Sequence, residues 1–155
     1  LADKHMDEMM LRSPCHSEED IHSGFDWFLN KEDRAYVIVH KEAGEVIGNL
    51  TVYDKVPPEV AQQEAVAGKA GKSLSFAMSP AWQRRGLMLE VVHAVIDHLF
   101  SQENTDYIHC GYLSYNVPSK KLQEKLGFQE IFTERFSLDG REIEVVENVL
   151  WKADF

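Results

Sequence analysis

The stretch Pro80-Ala81-Trp82-Gln83-Arg84-Arg85-Gly86-Leu87-Met88-Leu89-Glu90 decides how this chain is read. It lies between a short apolar segment, Leu74 to Met78, and a long segment with amphipathic helical spacing. A strand that runs through a basic, glycine-bearing turn into a helix N-terminus is a ready anion site. The first-turn N–H groups have no intrahelical partners, and the helix dipole adds partial positive charge. Arg84 and Arg85 thicken that field, so the stretch reads as a dock for something phosphorylated. By itself it also reads as a plain helix start with two solvated arginines.

Working outward, Leu74, Phe76 and Met78 share one face of the preceding strand. The helix expected from Gly86 to about Phe100 puts Met88, Val92, Val95 and Leu99 on one stripe, with Glu90, His93 and Asp97 towards the other side. Upstream, Ala35 to His40 is a continuous apolar strand, Glu42 to Glu45 a turn, and Val46 to Tyr53 the returning strand of a hairpin. Lys55 to Lys72 holds Pro57-Pro58, Gly68 and Gly71, and reads as a long loop with one helical turn, either functional or a solvated excursion. Ser17-Glu18-Glu19-Asp20, followed by Ile21, Phe25, Phe28 and Leu29, has the pattern of an N-capped helix.

Downstream, Tyr107 to Leu113 is a strand. A helix follows from Pro118 to Leu126, with Pro118 suited to its first turn and Gly127 to its left-handed C-terminal cap. Phe128 to Phe136 and Glu142 to Trp151 form a last hairpin around Asp139-Gly140. This order predicts an α/β fold, a mixed sheet flanked by helices, in a single domain over residues 1–155.

A net charge of −10 argues against a broad nucleic-acid face and favours cationic partners such as amines or basic polypeptides. No apolar run approaches a membrane span, and the start shows no signal-peptide pattern. Cys15 and Cys110 lack metal or redox spacing and read as reduced thiols, Cys110 inside a strand, which points to a cytoplasmic setting. The histidines are scattered without ligand spacing and read as surface or helix residues, so no metal is expected.

The second half of the chain carries Tyr115-Asn116-Val117-Pro118-Ser119-Lys120-Lys121-Leu122-Gln123-Glu124-Lys125-Leu126-Gly127-Phe128. Together with the opening stretch, it resembles the GCN5-related N-acetyltransferase (GNAT) superfamily. The pyrophosphate loop of that superfamily, Gln/Arg-x-x-Gly-x-Gly/Ala, corresponds to Gln83 to Met88. The chain is most similar to the Rim-type branch, which acetylates N-termini of ribosomal proteins. That branch has a Glu four residues after the loop glycine, as Glu90 follows Gly86, and Asn-x-x-Ser before Lys-Leu-Gly-Phe, as at Asn116, Ser119 and Lys125 to Phe128. The likeness runs from about Ala35 onward and implies a mostly antiparallel GNAT sheet. The opening strand and helix of the family do not fit into Leu1 to Arg12, so they are expected to be missing or reduced.

The resemblance implies acetyl transfer from acetyl-CoA to an amine acceptor, either a protein N-terminus or a small molecule. The implied cofactor contacts are the Ala77 and Met78 backbone for the pantetheine arm and the thioester carbonyl, and the loop Gln83, Arg84, Arg85, Gly86, Leu87, Met88 and Leu89 for the pyrophosphate. Asn116 would position the cofactor or a water, and Lys120-Lys121, with Arg84-Arg85, would border its phosphates. Met88 departs from the family's Gly or Ala and is expected to point back into the core. Many superfamily members carry a thiolate-protonating tyrosine where this chain has Gln123, so the Rim-type serine, Ser119, is the implied acid, with Tyr112 and Tyr115 as spare donors.

For the base, Glu147 stands in the apolar row Ile143, Val145, Val149 and Trp151, where burial would favour proton uptake. Glu144 competes, because it holds the place of an acidic residue common in the branch. A non-catalytic acyl-CoA-binding module is the alternative reading, and a homodimer is compatible with either.

Overall fold

The computed structural model describes residues 34–155, together with Ser17 and Glu19. The helix expected after Ser17, the shortened opening and Cys15 therefore lie outside the described residues, apart from Ser17 and Glu19 themselves.

The described chain forms β1 (Arg34–His40), β2 (Glu45–Tyr53), α1 (Pro58–Ala61), β3 (Gly71–Met78), α2 (Leu87–Gln102), β4 (Tyr107–Leu113), α3 (Val117–Leu126), β5 (Gln129–Leu138) and β6 (Arg141–Trp151). The strands make one sheet in the order β1-β2-β3-β4-β6-β5. Every neighbouring pair is antiparallel except β3 with β4. That parallel ladder covers only Gly71 to Ser73 against Tyr107 to His109. Beyond it the two strands part, β3 running on to Met78 and β4 to Leu113, so the sheet opens in a wedge at its centre.

Each face of the sheet follows from two-residue alternation. Leu50, Val52, Leu74, Met78, Ile108, Cys110 and Leu150 are buried in one cluster with Met88, Val92, Ile96, Leu99 and Phe100 of α2 and Leu126 of α3. The stripe of α2 therefore centres on Ile96, and Val95, expected at its middle, only flanks the core. Gly86 is not helical. It is the N-cap of α2 at φ 80.

The opposite face is closed at one end by Val60 and Val66, both essentially inaccessible, against Tyr107 and Val149. Lys55 to Lys72 is thus neither a free loop nor a solvated excursion. Its middle is a plug made of α1 and a 3-10 turn over Glu64–Val66, and Gly71 and Lys72 already belong to β3. β1 also differs from its apolar reading: among the described residues it is the edge strand of the sheet, with Tyr36, Val37 and Val39 exposed and Ile38 buried. The final hairpin turns at Asp139 and Gly140, both at positive φ, as a two-residue turn of this hand requires.

Candidate active site

Two clefts open from the wedge. The larger, about 490 Å³, is lined by Phe76, Ala77 and Met78 of β3, by Trp82, Gln83, Arg84, Gly86, Leu87, Met88 and Leu89 of the basic turn, and by Asn116, Pro118, Ser119, Lys121, Leu122 and Lys125 around α3. Among the described residues its charged side chains are Arg84, Lys121 and Lys125, with no carboxylate. In a chain of net charge −10, that is local selection for an anion. The first turns of both α2 and α3 border the cleft; the dipoles of both helices and the first-turn N–H groups of α2 add to the field, while Ser119 N of α3 is taken by its own cap. The turn stays open because Arg84 and Gly86 both take left-handed conformations, at φ 61 and φ 80. For arginine this costs about 1–3 kcal/mol, the kind of strain that accumulates at binding loops.

Met88 lines the cleft but is buried in the core cluster, so most of its bulk is turned into the core. Lys120, expected beside the phosphates, does not line the cleft, and neither does Arg85. Its guanidinium lies 4.8 Å from the Trp82 ring centre, and His40 stacks on the same indole at 4.5 Å. Gln83 Nε2 donates to the Met78 carbonyl at 2.9 Å, tying the turn back to the strand.

The backbone of β3 divides the expected pair. Ser79 N donates to Ile47 O, and the Ala77 carbonyl lies so close to Gly48 that a Cβ there would strike it. Odd-numbered residues thus turn their polar groups to β2. Phe76 and Met78 turn theirs to the open wedge. Met78, and not Ala77, presents strand-edge hydrogen-bonding groups to the cleft.

At the head of α3, Asn116 is the N-cap, its Oδ1 accepting from Ser119 N at 3.1 Å. The Asn-x-x-Ser spacing is therefore a cap and its N3 residue. Ser119 Oγ accepts from Gln123 Nε2 at 3.2 Å, and Gln123 Oε1 accepts from Asn148 Nδ2 at 2.9 Å. An amide nitrogen can only donate. The Ser119 hydroxyl, already accepting from it, is left to donate its own proton. Gln123, nearly inaccessible, is a fixed support for that hydroxyl.

The smaller cleft, about 290 Å³, is lined by Leu74, Ser75, Phe76, His109, Cys110, Gly111, Tyr112, Leu113, Asn116, Ser119, Val145 and Glu147. It shares Phe76, Asn116 and Ser119 with the larger one. Tyr112 keeps its proton, because burial, and then Glu130 and Glu124, push its phenol up. Glu147 is buried, and its Oε2 lies 2.7 Å from His109 Nε2. His109 Nδ1 in turn lies 2.6 Å from Ser73 Oγ. His109 corrects the expectation that the histidines are surface or helix residues: it is a buried strand residue. Glu144 is on the other side of β6, where it accepts from Arg135 Nε at 2.6 Å, and it lines neither cleft.

The fold that carries this basic turn and open strand edge is shared with known proteins. The family model described as Acetyltransferase (GNAT) domain matches residues 1–129. A search of curated proteins finds no significant match. Among solved structures, a GNAT-family acetyltransferase from Bacillus anthracis superposes with a TM-score of 0.79 at 12% identity, covering 98% of this chain and 84% of that one. A ribosomal-protein-S5-alanine acetyltransferase from Vibrio fischeri gives 0.71 at 17% identity over 97% and 82%. Spermidine N-acetyltransferase from Vibrio cholerae, in complex with CoA and spermine, gives 0.74 at 15% identity over 99% and 86%. The fold is thus that of a known architecture, and the family-model match over most of the chain's length shows that it belongs to the acetyltransferase (GNAT) domain family.

Proposed function

We propose that the protein is an acetyl-CoA-dependent N-acetyltransferase that moves the acetyl group to a primary amine by direct attack on the thioester. The observation that carries this is the meeting of a cationic cleft with a carboxylate-bearing cleft at Phe76, Asn116 and Ser119. The cationic cleft suits a polyanionic donor, and Glu147 on the far wall suits an ammonium acceptor. Two structural neighbours, a spermidine and a ribosomal-protein alanine acetyltransferase, are named for amine acceptors of the small-molecule and the protein kind.

In this reading the pyrophosphate rests on the amides of Gly86 to Leu89, with Arg84 and Lys121 beside it. The Met78 N–H at the open edge polarises the thioester carbonyl. The amine gives a proton to Glu147, its nitrogen forms the new bond to the carbonyl carbon, and the carbon–sulfur bond breaks. The Ser119 hydroxyl protonates the departing thiolate, and the second proton, which the nitrogen loses once the carbon–nitrogen bond has formed, restores that hydroxyl through water. Glu147 is preferred to Glu144 as the base, because the latter faces away and is paired with Arg135.

The test is release of free CoA thiol from acetyl-CoA with N-terminal peptides, polyamines and small primary amines. Release with one acceptor class, reduced about 10²-fold or more in Ser119→Ala and Glu147→Gln, is expected. Tight CoA binding without release for any amine would instead leave the binding-module reading.

A further inference from the structure

We propose that Ser73, His109 and Glu147 act as one proton-handling unit, in which Ser73 and His109 are positioning residues that aim the Glu147 carboxylate at the acceptor amine. This rests on the acetyl-transfer reading above. The three side chains come from three strands, β3, β4 and β6, and all are buried. They meet on the face away from α2, in register, with Ser73 opposite His109 across the parallel ladder. Glu147 pairs across the strands with Gly111, where a Cβ would strike its Oε2. The missing side chain at 111 is what lets the carboxylate lie down against the His109 ring.

The hydrogen positions follow from the chemistry of the three groups. A carboxylate only accepts, so at 2.7 Å the proton on the shared line belongs to His109 Nε2 when Glu147 is charged. Neutral His109 then has a bare Nδ1, to which the Ser73 hydroxyl donates. Glu147 Oε2 is thereby occupied. Its other oxygen, Oε1, has no hydrogen-bond partner among the described residues, and the side chain borders the smaller cleft. The orientation that Ser73 imposes through His109 leaves Oε1 as the accepting atom.

When the amine reacts, its N–H bond breaks and an O–H bond forms at Oε1, turning ammonium and carboxylate into neutral amine and carboxylic acid. The proton passes to water once the product leaves. If the unit has already taken up an extra proton on Nδ1, the Ser73 hydroxyl rotates to accept, and His109 becomes a cation beside the site. The acceptor ammonium is then repelled. Activity should fall on the acid side as the unit fills.

From β5, Phe132 stands opposite Glu147 and the Glu134 carboxylate opposite Val145, on the same face. Cys110 is pushed up to about 12 by burial and by Glu147. Burial pushes the Tyr107 phenol up as well. Tyr53, from β2, is hydrogen-bonded to Ser75, and the plug presents Val60 and Val66 to this face. Ser73 is not offered as a nucleophile, since it does not line either cleft.

The test joins a spectroscopic and a kinetic readout on the whole chain. In protein labelled with 15N-histidine, the His109 signals are identified by their loss in His109→Gln. Those signals should show the Nε2–H tautomer, move towards a mixture in Ser73→Ala, and shift in Glu147→Gln, where the charge that holds the Nε2–H is removed. With any accepted amine, Ser73→Ala should lose about tenfold in kcat/KM and displace the acid limb, while the Kd for CoA stays put. CoA affinity also reports that each variant is folded. His109 signals that ignore Ser73→Ala and Glu147→Gln overturn the unit, whether or not acetyl transfer occurs. Coupled signals in a protein that acetylates no amine sustain the unit and sink only the proposed reaction.

Discussion

A carboxylate lies beside His109 because residue 111 has no side chain, and the smallest change there tests the site most sharply. Gly111→Ala forces Glu147 Oε2 aside. We expect kcat for acetyl transfer to fall at least tenfold with little change in CoA affinity, at an overpacking cost of about 1–3 kcal/mol in denaturant unfolding. Cys110, one residue earlier, should behave in the opposite way to a reactive thiol. With its pKa pushed up to about 12, it carries almost no thiolate near neutrality, so peptide mapping should find it alkylated by iodoacetamide only after unfolding. At this scale the sequence is uneven as a guide. The basic turn into α2 and the left-handed cap at Gly127 are legible because a helix start and a helix end are local events. The His109 unit is not, since its partners are 36 and 38 residues away and its own strand is apolar. The faint signal is a strand reading Tyr107-Ile108-His109-Cys110-Gly111, where a histidine and a glycine interrupt a buried run on the same face.

Helices and strands were legible to within a few residues wherever a period and a breaker coincided. Tyr107 to Leu113 is strand β4 as expected, and Gly127, at φ 89, caps α3 as its position predicts. Period alone was less informative. It could not show that β1 lies at the edge of the sheet formed by the described residues, nor that Val60 and Val66 turn a Pro- and Gly-rich stretch into a plug, because both depend on what lies alongside. Elements are also tied by charge. Arg34 of β1 and Lys72 of β3 both reach Asp54, after β2, and Glu103, after α2. Bonds to Lys72 and then Arg34 hold the Asp54 carboxyl below its ordinary range, and bonds to Arg34 and then Lys72 do the same for Glu103. Depressed carboxyls contribute stability above their unfolded pKa, about 4, and lose it as pH falls through their lower folded values. The Tm advantage of the protein over Glu103→Gln should therefore be full at pH 6 and fade below about 4. An advantage that persists undiminished at pH 2 would mean that the ion pairs are not its source.

Across the whole molecule, charge is distributed against its average. A net −10 surface surrounds a cleft carrying Arg84, Lys121 and Lys125. That contrast was visible as paired basic residues flanking two motifs, whereas the meeting of the clefts was not, because Phe76 and Ser119 come together only in the fold. The wedge between β3 and β4 has a consequence for how the molecule holds together. Three residue pairs join those strands, against six between β2 and β3 and seven between β4 and β6. Mechanically the sheet is two leaves on a short spine. A donor arm lying along the open edge of β3 would serve as a strand the polypeptide lacks, bracing one leaf against the other. Amide exchange at Phe76 and Met78 should then slow sharply when CoA is bound, while Ser75 and Ala77, already facing β2, change little, and the nucleotide substrate becomes a structural member of the enzyme that uses it.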